Sequence, residues 1–285
     1  MDAAPAPPAV PGVDRYVHVG GLRIHCYEQG APDDPPVVVL HGIMGHTREW
    51  DTLTGELARS FHVLAVDQRG HGESDWADEY TAAAMAHDVV RLVEQVGIAP
   101  VSLVGHSLGA IVAAVVAADR PDLVSRLVLL DIGPDSLGTP EIVGEVAATL
   151  TALAGTSYAH AGEAVEQWLV GNHLADADLM RHYVEHCLVA RDDGRFGWRF
   201  DGEGLVRFLT EGVTESQLWS AVDRLSAPTL LVRGEHSPLL SRATAHEMVR
   251  RLGRARFVEI PGAGHDLGVE RPREVAAATL RFLTG

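Results

Sequence analysis

The sequence predicts an α/β fold: a mostly parallel eight-stranded sheet with helices on both faces and an inserted helical cap. Two observations carry this reading. Short, continuous apolar runs alternate with helical stretches along most of the chain, as expected when parallel strands are covered on both faces by the helices that connect them. The rhythm then stops between about Asp135 and Val222, where no buried strand is evident. A stretch that long is too long for a loop in a compact domain, so it reads as a folded helical insertion.

The elements follow in order. The opening MDAAPAPPAVPG is Pro/Ala-rich, with neither a basic start nor an apolar core. Residues 1–14 are therefore expected to be a disordered lead rather than a secretory signal. Tyr16–Val19 and Arg23–Glu28 flank Gly20-Gly21 and predict a β-hairpin. Buried strands are predicted over Val37–Leu40, His62–Val66, Val101–Val104, Leu127–Leu130, Thr229–Val232 and Arg256–Ile260. Helices are predicted over Thr47–Ser60, Tyr80–Val96, Leu108–Asp119, Arg242–Leu252 and Pro272–Leu283. The core thus spans 15–134 and 223–285, and the cap 135–222. In the cap, apolar residues recur at helical spacing, and Tyr158, Trp168, Tyr183, Trp198, Phe200 and Trp219 add aromatic bulk.

Composition narrows the function. The 285 residues carry 23 Lys and Arg against 39 Asp and Glu, a formal net charge of −16. That balance argues against nucleic acid and anionic membranes as partners and leaves a small-molecule substrate as the expected one. No apolar run reaches the ~18 residues of a membrane-spanning helix. The two cysteines, Cys26 and Cys187, read as buried free thiols of a reducing compartment, and the cytoplasm is the expected location.

The sharpest motif is VGHSLGA, Val104 to Ala110. Between a predicted strand and a predicted helix it fits G-x-S-x-G, a tight turn that exposes a nucleophilic Ser107 at a helix N-terminus. The flanking glycines allow the close packing such a turn needs, and the helix N-terminus favours a developing negative charge.

With this motif, LHGIMGH (Leu40 to His46), DQRGHGESD (Asp67 to Asp75) and PGAGHD (Pro261 to Asp266), the chain resembles the α/β-hydrolase family from about Tyr16 to Thr284. The resemblance implies several roles. The N–H groups of Ile43 and Leu108 would form an oxyanion hole, and His265, after the last strand, would be the general base. The DQRGHGESD turn would be mainly structural. His41, His46 and His106 flank the site as structural or pocket-lining groups, and some cap aromatics would roof the pocket.

The acid that should orient His265 is displaced. The family's commonest position for it falls in the turn Gly234-Glu235-His236-Ser237, where Ser237 offers no charge. Three readings are open: the acid sits elsewhere after the sixth strand, Glu235 or Asp266 serves, or the site lacks one. Asp131 is favoured. In LLDIGPD, Leu129 to Asp135, it ends the sixth strand 24 residues after Ser107, and some family members, the haloalkane dehalogenases among them, keep their acid after that strand at a similar spacing. Asp135 lies further into the loop and is the weaker candidate.

The expectation is a serine hydrolase acting on an ester, lactone or thioester of a small, largely apolar molecule, with no metal or organic cofactor. C–C bond hydrolases and cofactor-free perhydrolases resemble the same scaffold and Ser-His pair, and the vacancy at Ser237 leaves room for a non-catalytic ligand-binding protein. HYVEH, His182 to His186, matches the zinc-protease pattern H-x-x-E-H. With 15 His in the chain it is set aside as a chance match inside the cap.

Overall fold

The computed structural model describes residues 10–137 and 140–285. Its first two strands, β1 (Gly12–Val19) and β2 (Leu22–Gln29), pair antiparallel about Gly20 and Gly21. Both glycines have positive φ, 57° and 89°, the requirement of a two-residue turn that matches strand twist. Part of the expected lead, residues 1–9, lies outside the described residues. The remainder is shorter than expected: β1 begins at Gly12, because residues 12–14 continue the register opposite Gln29, Glu28 and Tyr27.

The chain continues through β3 (Pro36–Leu40), α1 (Asp51–Leu57), β4 (His62–Val66), α2 (Ala82–Val96), β5 (Val101–His106), α3 (Leu108–Asp119) and β6 (Val124–Leu130). The insertion follows: α4 (Pro140–Ala154), β7 (Ser157–Tyr158), α5 (Ala161–Gly171), α6 (Ala177–Cys187), β8 (Leu188–Ala190), β9 (Phe196–Trp198), α7 (Gly202–Arg207) and α8 (Glu215–Arg224). The core resumes with β10 (Thr229–Gly234), α9 (Arg242–Leu252), β11 (Ala255–Ile260), α10 (Leu267–Glu270) and α11 (Pro272–Thr284).

Eight strands form one sheet in the order β1-β2-β4-β3-β5-β6-β10-β11. Pairing is antiparallel for β1 with β2 and β2 with β4, and parallel from β4 to β11. The order reverses at β3, since the chain steps outward to β4 and returns to β5. Such a switch point opens a crevice at the carboxyl ends of the strands, where α/β sheets bind ligands. β5 and α3 explain the local choice of residues. Every residue of β5 is buried, and α3, LGAIVAAVVAAD, is apolar around most of its circumference, as a helix covered on several sides must be.

The DQRGHGESD turn braces this frame. Buried Asp67 accepts hydrogen bonds from the backbone of Thr47 (2.7 Å) and Glu73 (2.9 Å) and pairs with the His25 ring at 2.7 Å. Burial alone would raise its carboxyl, but the His25 contact, the nearby His41 and the Glu73 N–H hold it down to about 2. Arg69 makes a two-point contact with Asp88 at 2.6 and 2.8 Å. The hairpin, the loop after β3 and α2 are thereby joined.

The insertion is not wholly helical. β7, β9 and β8 form a three-stranded antiparallel sheet, whose strands of two and three residues are too short for alternation to register in the sequence. The insertion is also tied to the core through backbone. Gly72 N–H donates to Arg199 O (3.0 Å), Asp201 N–H to Gly70 O (2.8 Å) and Asp176 N–H to Val269 O (3.0 Å). The two free cysteines are both buried, and among the described residues no helix is long and apolar enough to cross a membrane.

Removing Asp67 strands His25 and two backbone donors. Asp67→Ala is expected to cost about 3–5 kcal/mol, read as a lowered midpoint in urea denaturation.

Candidate active site

Ser107 sits between β5 and α3 with φ 51° and ψ −118°, a conformation that costs a side-chain-bearing residue on the order of 1–3 kcal/mol. Packing enforces it. A Cβ on Gly105 would collide with the backbone of Gly109 and Ala110, and one on Gly109 would lie 2.5 Å from the carbonyl oxygens of Leu40 and His41. The two glycines of G-x-S-x-G thus let α3 press onto β3 and β5, which leaves Ser107 at the apex. Its N–H donates to Leu130 O at 3.0 Å.

Ser107 Oγ lies 3.0 Å from His265 Nε2, and His265 Nδ1 lies 2.8 Å from Asp131 Oδ2. The tautomer follows. The Asp131 carboxylate accepts, so Nδ1 carries the hydrogen and Nε2 presents a lone pair to the serine hydroxyl. Burial pulls His265 down, but the hydrogen bond and charge of Asp131, helped by Asp266 and Glu270, outweigh it, and its pKa lies above 6.5.

Asp131 is fully buried, and its φ is 54°. Its Oδ1 accepts from Gly234 N–H (2.8 Å), and its Oδ2 from Ser237 Oγ–H (2.5 Å) as well as from His265. The polarity at Ser237 is unambiguous, because its Oγ already accepts from Leu239 N–H (3.2 Å) and Leu240 N–H (3.0 Å). Its own hydrogen is left for Asp131. The turn with Ser237 at the expected position of the acid therefore supplies two donors to Asp131.

The other carboxylates are engaged elsewhere. Glu235 accepts from Gly262 N–H at 2.8 Å, and Asp135 accepts from the Thr244 hydroxyl. Asp266 lines the pocket without bonding the His265 ring. A further feature was not legible beforehand: among the described residues, the non-glycine residues at positive φ are Met44, Ser107 and Asp131, and all three belong to this site.

Ile43 and Leu108 line the pocket beside Ser107. Ile43 occupies a turn closed by Gly45 N–H to Gly42 O at 3.1 Å. Leu108 opens α3, so its N–H is among those without an intrahelical acceptor. His41 steadies the turn: Nδ1–H donates to Gly42 O (2.7 Å) and Nε2 accepts from Gln68 N–H (3.0 Å). Burial and the neighbouring His71 push it down to about 3, so it stays neutral. His46 bonds Tyr183 O at 2.9 Å, and burial pushes it down to about 4.

The cavity over Ser107 encloses about 160 Å³, comparable to an engineered cavity that admits benzene. Of the aromatics singled out in the insertion, Trp168 and Tyr183 reach it, joined by Phe208. Trp198 packs behind Trp168, with ring centroids 5.5 Å apart. In HYVEH, His182 Nε2 lies 2.9 Å from Asp51 Oδ2 and His186 Nδ1–H donates to His182 O at 2.8 Å. Among the described residues no group of three or more His, Cys, Asp or Glu is arranged to hold a metal ion.

Sequence reasoning missed Glu49. It lines the same pocket, and its carboxyl is pushed up to about 8 by burial, reinforced by Asp266. Asp266 is itself raised by burial. The available signal was an acid in the helical turn directly after LHGIMGH.

Comparison with known proteins fits this geometry. Residues 35–272 match the family model described as the alpha/beta hydrolase fold, and the chain belongs to that family. It is 31% identical over 275 residues to 2-(acetamidomethylene)succinate hydrolase of Mesorhizobium japonicum, covering 95% of each chain. It is 32% identical over 261 residues to the lipase LipV of Mycobacterium tuberculosis, covering 90% of this chain and 96% of the other. A crystal structure of E-2-(acetamidomethylene)succinate hydrolase superposes with a TM-score of 0.85 at 29% identity, over 96% of this chain and 100% of that one.

A carboxyl whose pKa is higher folded than unfolded weakens folding above its unfolded value. For Glu49 the penalty is absent below about 4.5 and complete above about 8. Asp266, His106, Tyr183 and Cys187 face it and are the same in both proteins. Glu49→Gln is therefore expected to raise the melting temperature at pH 8.5 by several degrees, with the gain vanishing at pH 4.5 in calorimetric scans.

Proposed function

We propose that this protein is a serine hydrolase cleaving a carboxylic ester, lactone or thioester of a small, largely apolar molecule. The observation that carries the reading is the unbroken relay Ser107 Oγ, His265, Asp131 at 3.0 and 2.8 Å, opening into an apolar cavity. Ser107 attacks the carbonyl carbon as its proton passes to His265 Nε2. Asp131 holds the ring in the productive tautomer and stabilises the imidazolium. The oxyanion is received by the N–H groups of Ile43 and Leu108. His265 then protonates the leaving group, and water, activated by the same ring, hydrolyses the acyl-enzyme.

The chemistry needs no metal or organic cofactor. The acidic net charge of −16 supports a small-molecule substrate over nucleic acid or an anionic membrane, and the two buried free thiols support a reducing, cytoplasmic setting. The insertion acts as the cap, since its Trp168, Tyr183 and Phe208 close the cavity over Ser107. The relative named for a succinate derivative acts on a carboxylate-bearing molecule. Here the described pocket lining includes Glu49 and Asp266 and no Lys or Arg, so an uncharged substrate suits this chain better.

A fluorophosphonate probe is expected to label wild type and leave Ser107→Ala unlabelled; an unlabelled wild type overturns the hydrolase reading in favour of a ligand-binding protein. A panel of esters, lactones and C–C substrates separates it from C–C hydrolysis and perhydrolysis. Asp131→Asn is expected to lower kcat by a factor on the order of 10⁴. Ser237→Ala, which removes one of three donors to Asp131, is expected to lower kcat/KM about tenfold. Because His265 must be neutral to accept the serine proton and its pKa is raised, kcat/KM is expected to fall with decreasing pH, with the inflection above 6.5.

A further inference from the structure

Glu49, His106 and Asp266 line the pocket and take no part in the relay. His106 is 3% exposed, and its Nε2 lies 2.9 Å from the backbone carbonyl of His265. A carbonyl only accepts, so Nε2 carries the hydrogen and Nδ1 is left with a bare lone pair. That Nδ1 is buried and has no hydrogen-bond partner. The nearest carboxyl oxygen, Glu49 Oε1, is 3.6 Å away, beyond a hydrogen bond. Protonating the ring would fill the vacancy, but burial opposes it, and so does the His265 ring, with its centroid 4.8 Å away.

Glu49 has the matching deficit. Its side chain is 9% exposed, and among the described residues its carboxyl has no hydrogen-bond partner. It lies against the Gly42–Gly45 turn and faces Asp266 from the N-terminal end of α10, with Tyr183 and Cys187 of α6 nearby. No Lys or Arg is among the described lining residues, so nothing compensates a full negative charge there, and the burial that raises its pKa keeps it the neutral acid at pH 7. A neutral carboxyl donates through O–H, while the nearby His106 Nδ1 accepts.

We propose that Glu49 and His106 Nδ1 form a hydrogen-bonding end of the pocket that selects an ester bearing a hydroxyl group and rejects one bearing a carboxylate. A hydroxyl both donates and accepts, so it meets both vacancies at once: its hydrogen goes to His106 Nδ1 and its oxygen receives the Glu49 O–H. An ether answers only one of them. A carboxylate has no hydrogen for His106 Nδ1, and it meets Asp266 with no Lys or Arg among the described lining residues to balance its charge. Glu49 and His106 are thus specificity-determining, and the inference rests on the hydrolase reading.

The test uses the purified full chain at pH 7 with acid release followed by titration. Ethyl 3-hydroxybutyrate is compared with ethyl butyrate, 2-hydroxyethyl butyrate with propyl butyrate, and monoethyl succinate serves as the carboxylate probe. The expected result is a kcat/KM roughly tenfold higher for the hydroxylated member of one pair, about the factor one good hydrogen bond supplies, and roughly 100-fold lower for monoethyl succinate than for ethyl butyrate. Glu49→Leu is expected to bring the hydroxyl ratio to within about twofold of unity, while Glu49→Gln, which keeps a donor and an acceptor, retains most of it. Ratios near unity in both pairs for wild type overturn the proposal without any variant. So does monoethyl succinate cleaved as readily as ethyl butyrate, or a hydroxyl ratio unchanged in Glu49→Leu. If no ester is turned over, it is the hydrolase reading that fails; calorimetric binding of the same esters to Ser107→Ala then reads the hydroxyl preference without turnover, its presence supporting the proposal and its absence overturning it.

Discussion

Asp131 ties together the segments on which the site is built. It directly follows β6, donates its own N–H to Val232 O of β10, and accepts from the end of β10, from Ser237 in the turn after it and from His265. A fully buried carboxylate is costly unless its oxygens are well satisfied, and three converging donors meet that demand. The orientation of the His265 ring is therefore inseparable from the packing of two strand ends. A change in any donor is felt first as a change in where the imidazole points.

Backbone strain is concentrated in the same place. Met44, Ser107 and Asp131 all adopt left-handed φ values of 64°, 51° and 54°, although none is a glycine. Each lies just beyond the carboxyl end of a neighbouring parallel strand, β3, β5 or β6. The strand ends arrive in register there, as Leu40 pairs with Gly105 and Gly105 with Leu129. The sharp exits needed to leave the sheet are what bring Met44, Ser107 and Asp131 to one side of it. The buried core beneath, with α3 pressed against β3 through Gly109, supplies the rigidity that holds these conformations.

Much of this was legible in the sequence because it is local. The continuous apolar runs gave the buried strands to within three residues at either end, and α3 and α9 have the bounds expected from their patterns. G-x-S-x-G declares its geometry through two glycines. The choice of Asp131 rested on the resemblance to family members that keep their acid after this strand at a similar spacing from the serine, and the structure puts it 2.8 Å from the ring. What was not legible depends on contacts between distant segments. Ser237 looked like a loss because its partner is 106 residues away. Glu49 is unremarkable in sequence and acquires its character only from burial beside Asp266. The small sheet of the insertion escaped notice because strands of two or three residues leave no periodic trace.

The seam between insertion and core has a consequence for mutation. Gly70, Gly72, Arg199 and Asp201 meet through main-chain groups, which every amino acid except proline supplies in full. Docking of the insertion at this seam is therefore largely indifferent to mutation in its side chains. Trp168, Tyr183 and Phe208, which line the cavity over Ser107, lie outside this seam, so a change in their size leaves its main-chain bonds untouched.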